Sequence, residues 1–319
     1  MKVDKKDKKI LYSLSKDMRS SAASIGRKCG LNKNTVVYRI SRLFDSGIVK
    51  RCIGLVNTQG LGFTRHEVFI QLKNANEDKE REISEFIAKN PMFLWVRCSL
   101  GNYDILTEFY SKNSEDYEKT ISEIRNAFGQ FIKRMDSAIV LVEYSFPLKL
   151  LGEVDEERVE TSPVKIDVDK KDLIIMKDLA NDARVPVVNI SKKVRLSPDA
   201  VAYRIRELIK KNIIFGYRVV VDEKLLGFQK YKILLRLRNV DEKTSLRVLD
   251  IIKSNSSTQY IKRCIGNWDF SVTLLAEDIY QFRKIILDIK SSLKDVLEDC
   301  IPLVLFEEHK NTYFPQGIL

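Results

Sequence analysis

Histidine is almost missing from this sequence: His66 and His309 are the only two in 319 residues. Tryptophan is as sparse, at Trp95 and Trp268. The five cysteines, Cys29, Cys52, Cys98, Cys264 and Cys300, are odd in number and widely separated. With no CxxC pair, neither zinc nor a disulfide framework is expected, and the thiols read as small buried hydrophobes. No apolar run approaches the ~18 residues of a membrane span. The opening "MKVDKKDKK" has no apolar segment behind it to make a signal peptide, so a cytoplasmic protein without a membrane partner is expected. There is no Ser/His/Asp or Cys/His constellation, no Walker-type glycine loop and no paired-carboxylate signal. No catalytic residue, metal ligand or cofactor site is therefore expected.

What the chain does have is positive charge in particular places. Its net charge is +11. Residues 1–60 hold 14 Lys/Arg against 4 Asp/Glu, and residues 166–225 hold 13 against 9. The rest of the chain holds 28 against 31, so the whole excess lies in those two segments. A basic surface confined to two segments suggests nucleic acid as a partner.

The two segments are copies of each other. "TVVYRISRLFDSGIVK" at 35–50 reappears as "AVAYRIRELIKKNIIF" at 200–215, an offset of 165. The same shift aligns "DKKD" at 4–7 with 169–172, "LGF" at 61–63 with 226–228, and "GNYD" at 101–104 with "GNWD" at 266–269. Between 4 and 63 it gives 21 identical pairs in 60 without a gap, so the chain is a tandem duplication of a whole module. Between the copies, residues 147–168 are acidic and polar with a proline near either end and read as a linker.

Each unit divides at "LGF". Upstream, Ile10, Leu11, Leu14 and Met18 repeat at helical spacing, and a short helix follows near 21–29. A polar turn leads to a third helix, with Ser197 a good N-cap and Pro198 a good first residue in the second copy. "GIVKRCIGLVN" and "NIIFGYRVVVD" then read as hairpin-like wings. Three helices and a wing make a winged helix-turn-helix. Downstream, strands at 66–73, 93–99, 104–111 and 138–145 and helices at 77–89 and 114–128 run βαββαβ, the order of a ferredoxin-like sandwich. The fold class is α+β. The expected domains are 1–63, 64–146, the linker 147–168, 169–228 and 229–319.

On the third helix, Val36, Ile40 and Leu43 share one face with Phe44 at its edge, and Asn34, Tyr38, Ser41, Arg42 and Asp45 point the other way. Asn and Arg read base edges and flanking cations hold phosphates. The expected double-stranded-DNA contacts are Lys33, Asn34, Tyr38, Arg39, Arg42, Lys50 and Arg51 in the first head. In the second they are Tyr203, Arg204 and Arg206. The heads differ: Asn34 becomes Asp199, Arg42 becomes Glu207, and Lys50 and Arg51 become Phe215 and Gly216. The first head is therefore expected to bind more tightly. At "GNYD/GNWD", a glycine-permitted tight turn capped by an Asx residue accounts for the residues. A small-molecule pocket is the other reading, with Asp104 and Asp269 meeting an ammonium or hydroxyl.

The winged helix ending in "LGF", followed by βαββαβ with a Gly-x-x-Asp turn, resembles the Lrp/AsnC, or feast/famine, family of transcription regulators. The resemblance covers nearly the whole chain twice, apart from the linker. It implies a RAM-type ferredoxin-like domain that dimerises through its sheets and binds an amino-acid-like effector near the glycine turn, here Gly101, Asn102, Asp104, Gly266, Asn267 and Asp269. Family members usually carry one unit per chain, so this chain resembles a covalently joined dimer, with a homo-oligomer of such chains also compatible. Siroheme decarboxylases share the architecture and place His and Arg around the segment that is "FLWVRCSLGNYD" here. That segment holds no histidine, and His66 and His309 read as packed strand residues. A ligand sensor that has lost DNA binding is the third reading, which the acidic substitutions in the second head favour slightly.

Overall fold

The computed structural model describes residues 3–146, 148–151, 158–159, 167–238 and 241–318. The linker expected at 147–168 falls mostly outside them. Among its described parts, Leu148 is buried with the head residues, the Lys149 ammonium donates to the Asn255 carbonyl at 3.0 Å, and Arg158–Val159 forms a short strand.

Each head holds three helices and one strand. In the first these are α1 (Lys5–Lys16), α2 (Ala22–Cys29), α3 (Lys33–Asp45) and β1 (Val49–Val56). The rest of the first unit is β2 (Thr64–Leu72), α4 (Glu77–Lys89), β3 (Phe93–Gly101), β4 (Ile105–Ser111), α5 (Ser114–Phe128), β5 (Ile132–Ser145) and the short β6 (Arg158–Val159). The second head is α6 (Lys170–Asn181), α7 (Val187–Val194), α8 (Pro198–Lys210) and β7 (Ile214–Val221). It is followed by β8 (Gln229–Leu237), α9 (Glu242–Ser254), β9 (Thr258–Gly266), β10 (Phe270–Ala276), α10 (Ile279–Ser292) and β11 (Leu297–Asn311). The "DKKD" repeats become capping boxes: Asp4 and Asp7, and again Asp169 and Asp172, exchange side-chain and backbone bonds at the start of α1 and α6.

The expected hairpin wings are not hairpins. Each unit supplies one strand, and β1 pairs antiparallel with β7 across the units, Cys52 opposite Val219. The reason lies in the strands themselves. Both are buried along most of their length, where water cannot satisfy backbone groups, so each needs a partner strand. The first helix of each unit crosses to the other unit's strand. The Met18 amide donates to the Tyr217 carbonyl at 3.0 Å, and the Ala183 amide to the Cys52 carbonyl at 2.9 Å. Gly54 makes that crossing close: a Cβ there would lie 3.1 Å from the Leu179 carbonyl oxygen. Ile10, Leu11, Val36 and Leu43 of one head and Ile175, Leu179, Val201 and Leu208 of the other thus belong to one continuous core.

Each βαββαβ unit folds as expected, with strand order β5-β2-β4-β3 in the first and β11-β8-β10-β9 in the second. The last strand of each is long. β5 pairs with β2 through residues 132–140 and with β9 through 138–145, and β11 likewise runs from β8 to β3. Both edges are thereby sealed, and eight strands close into a flattened barrel with the helices outside. Closure removes every free sheet edge at the seam between units. Inside lie Phe69, Leu106, Val140, Leu234 and Leu303, drawn from both units.

Candidate nucleic-acid interface and axial site

The recognition helices are set by their caps. Asn32 accepts from the Thr35 amide at 2.8 Å to start α3, and Ser197 accepts from the Ala200 amide at 3.2 Å to start α8, with Pro198 first in the helix. Val36 and Leu43, and Val201, Ile205 and Leu208, are buried beneath them. Lys33, Asn34 and Ser41 stand exposed on α3, as do Asp199, Arg206 and Lys210 on α8. At the centre of each outer face is the same tyrosine, Tyr38 at 65% and Tyr203 at 58% exposure.

Three expected DNA contacts are engaged elsewhere. The Arg39 guanidinium donates to Asp4 at 2.8 Å and to Asp7 at 2.7 Å, and Arg42 donates to the other oxygen of Asp7 at 2.7 Å. Arg204 repeats the arrangement on Asp169 and Asp172 at 2.8 Å each. These arginines clamp the recognition helix to the capping box of the first helix. The Asp7 amide and the Arg39 guanidinium together hold the Asp4 carboxyl down at about 2. The signal was present in the sequence: "DKKD" and "YRI" recur at one shared offset. Nothing local says that the two motifs meet. Arg51 also turns inward, donating to the Asn311 carbonyl with its guanidinium 5.3 Å from the Tyr313 ring. Lys50 pairs with Asp222 at 2.9 Å but stays half exposed.

The glycine turns lie at the two seams of the barrel, far apart in topology, one at β3–β11 and one at β5–β9. Gly101 and Gly266 have φ of +139° and +142°, and a Cβ would meet the Pro302 carbonyl at 2.8 Å and the Ser137 carbonyl at 2.6 Å. The turns can therefore approach the opposite unit only as glycine. Asp104 accepts from the Leu72 amide at 2.6 Å, and Asp269 from the Leu237 amide at 2.7 Å. Asn267 accepts from the Ser137 amide at 3.2 Å, while Asn102 is exposed. The aspartates that the pocket reading gave to an ammonium are thus committed to strand ends.

The barrel interior holds a charge cluster that sequence reasoning missed. Glu67, with no exposed surface, accepts from Lys232 at 3.1 Å, Lys262 at 3.0 Å, Ser271 at 3.0 Å and the Trp268 indole at 3.1 Å. Burial alone would raise its carboxyl, but the ammonium groups of Lys232 and Lys262 hold it well below the usual carboxylate range. Lys262 also pairs with Glu108, and Arg65 pairs with Glu108 and with Glu143. His66 is packed, as the sequence suggested. It bonds Ser111 Oγ at 2.8 Å, its ring is 5.2 Å from Phe109, and burial lowers it to about 4. His309 lies 3.4 Å from the Cys98 sulfur. Among the described residues no His/Cys/Asp/Glu cluster could hold a metal. Between the barrel mouth and the β1–β7 ladder is a cavity of about 140 Å³.

A family profile described as winged helix-turn-helix DNA-binding matches residues 3–50 and 168–214, one match per head. The chain is 32% identical over 122 residues to the transcriptional regulator AzlB of Bacillus subtilis, covering 38% of this chain and 78% of that one. Among solved structures, the siroheme decarboxylase NirDL superposes with a TM-score of 0.66 at 12% identity, over 98% of this chain and 94% of that one. Escherichia coli AsnC, at 19% identity, covers 44% of this chain and 95% of its own with a TM-score of 0.39.

Proposed function

The chain belongs to the Lrp/AsnC family as two fused units, and on that premise we propose that it is a DNA-binding transcriptional regulator carrying both reading heads on one chain. The observation that carries this reading is the pair of recognition helices. Each exposes a polar face centred on the same tyrosine, while one equivalent arginine, Arg39 or Arg204, is clamped behind it. The heads share one core, so their separation is set by the fold. A rigid two-headed reader suits two half-sites at a fixed spacing, and the second head engages at high effective concentration. Because the heads differ in sequence, the preferred site is asymmetric. The test is retention of sheared genomic DNA at about 50 and about 200 mM salt, followed by sequencing. Steep loss with salt and enrichment of discrete paired sites are expected. No retention at the lower salt sinks the reading.

The whole-chain likeness to a siroheme decarboxylase is the observation that favours a second reading, a tetrapyrrole enzyme of the same architecture. Against it stand the cavity volume of about 140 Å³ and a described lining without histidine. Drug-sized ligands occupy about 300–1,000 Å³, and a tetrapyrrole is larger than most. Incubation with siroheme decides: carboxyl loss from the macrocycle would replace the regulator reading.

A further inference from the structure

The heads differ in one charged contact, and the difference opens a cleft. In the first head Asp7 is fully buried, with one carboxylate oxygen on Arg39 at 2.7 Å and the other on Arg42 at 2.7 Å. In the second head Arg204 keeps the first of these bonds, on Asp172 at 2.8 Å. Position 207, the counterpart of Arg42, is glutamate. The second oxygen of Asp172 is left with the Asp169 amide at 3.4 Å, and its side chain becomes 16% exposed. At that length the bond is weak.

Where the first head has that guanidinium, the second has a cleft of about 440 Å³ between α6 and α8, lined by both Asp172 and Glu207. Sites for small molecules run from about 300 to 1,000 Å³. Leu196, Leu208 and Ile213 supply apolar wall, and Tyr203 lines the cleft from the outer face of α8. Two cations also line it, and neither answers Glu207. Arg204 is committed to Asp169 and Asp172, and the exposed Lys211 makes no ion pair with Glu207 among the described residues. Glu207 has no charged partner among those residues at all. Two carboxylates at a surface are ordinarily just solvated. The first head supplies the independent observation. There the equivalent aspartate, in the equivalent capping box, does hold a guanidinium, brought by the side chain at position 42. The apolar wall is kept between the heads, as Leu31, Leu43 and Ile48 in the first. The second head has thus kept the receptor, lost the built-in cation and gained a second carboxylate.

We infer that this cleft binds one small alkylguanidinium, a planar cationic head on a short apolar tail. The head bridges the second oxygen of Asp172 and the Glu207 carboxylate through charge-assisted hydrogen bonds. The tail lies on Leu196 and Ile213. There is one site per chain, because Arg42 takes the place in the first head. Once bound, the cation offsets carboxylate charge beside Tyr203 and gives the second head the balance that the first carries in its own side chain. Phosphates are then repelled less. That effector role rests on the regulator reading; the binding itself does not.

The test separates the two. n-Butylguanidinium is titrated calorimetrically into the full chain without DNA, with n-butylurea as the uncharged counterpart of the same shape. Saturable binding at one per chain is expected, with none for n-butylurea. Glu207→Gln, at a partly exposed position, should weaken it about tenfold, the worth of one charge-assisted hydrogen bond. Glu207→Arg, which rebuilds the clamp of the first head, should abolish it. No saturation by about 10 mM n-butylguanidinium, on the order of the weakest affinity worth calling a site, overturns the inference. So do two sites per chain, equal binding of n-butylurea, or full binding in either variant. Affinity for the retained genomic fragments is then measured with and without n-butylguanidinium at matched ionic strength. A rise of about twofold is expected, the scale of one charge acting across about 10 Å of water. Glu207→Arg should show that rise without the ligand. Ligand binding with unchanged DNA affinity removes the effector role and keeps the site. Ligand binding with no DNA retention at all removes the regulator reading and keeps the site.

Discussion

At position 67 the first unit has glutamate; at the equivalent position, 232, the second has lysine, and the two meet inside the barrel. The same divergence runs through the neighbouring positions. Glu108 corresponds to Thr273, Tyr103 to Trp268, and Leu106 to Ser271. In a dimer of identical chains each axial residue must tolerate its own copy. Two first units would set Glu67 against Glu67, and two second units would bury Lys232 against Lys232 beside a pair of Lys262. Fusion removed that constraint and let the copies become complementary. The heads tell the complementary half of the story. There the clamp is kept in both copies, Arg39 on Asp7 and Arg204 on Asp172, while the outward residues change sign. Positions that meet the other unit diverged toward each other; in the heads the Arg39/Arg204 arm of the clamp stayed alike, while its second arm, Arg42, became Glu207.

The sharpest way to break the comparison is at the axis. Glu67→Ala leaves Lys232 buried without its carboxylate and should cost about 3–5 kcal/mol in chemical denaturation. Glu67→Met combined with Lys232→Met should cost far less than Glu67→Ala alone, because a buried pair can be replaced by apolar residues of similar size. A double variant as damaging as the single would show that the pair adds more than charge balance.

His66 and its counterpart Tyr231 offer the next comparison. Burial depresses His66 to about 4, below the ordinary ~6.5 of the unfolded chain. The unfolded state therefore binds the extra proton between those values, and stability falls as pH drops from about 6.5 toward 4. His66→Tyr should remove that slope, gaining on the order of 2–3 kcal/mol relative to the parent at pH 4 compared with pH 7. Parallel stability-versus-pH curves for the two proteins would refute the assignment.

The clamps should differ by less. Asp7 is fully buried and holds two arginines, whereas Asp172 is partly exposed and holds one, since Glu207 replaces the second. Asp7→Asn should destabilise by about 1–2 kcal/mol more than Asp172→Asn, reflecting the second charged bond. Equal losses would place the cost in the caps instead. The smallest effect concerns DNA. Tyr38→Ala and Tyr203→Ala should each lower affinity, with the first larger by about threefold, because Lys33 and Asn34 support it where Pro198 and Asp199 stand in the second head. A larger loss at Tyr203 would invert the ranking of the heads.

Much of this molecule was legible in the sequence. The duplication was plain at one fixed offset, and α4 and α5 span the residues 77–89 and 114–128 read from the sequence. The buried face of α3 followed from helical periodicity. That Tyr38 lies on the outer face of its helix followed too, but the ion pairs of Arg39, Arg42 and Arg204 did not, because an arginine on a helix flank looks the same whether it meets a phosphate or an aspartate on another helix. The wings were misjudged for a related reason: an apolar strand declares that it needs a partner, not which strand that will be.

By itself, then, the sequence determined the local periodicities, the caps, the two-unit order and the placement of charge, all of which act over a few neighbours or a whole segment. The tertiary structure alone decided that β1 pairs with β7, that the barrel closes within one chain, that Glu67 finds Lys232, and that a cavity opens between heads and barrel. Those are contacts from one unit to the other, between positions made neighbours only when two similar halves fold against each other.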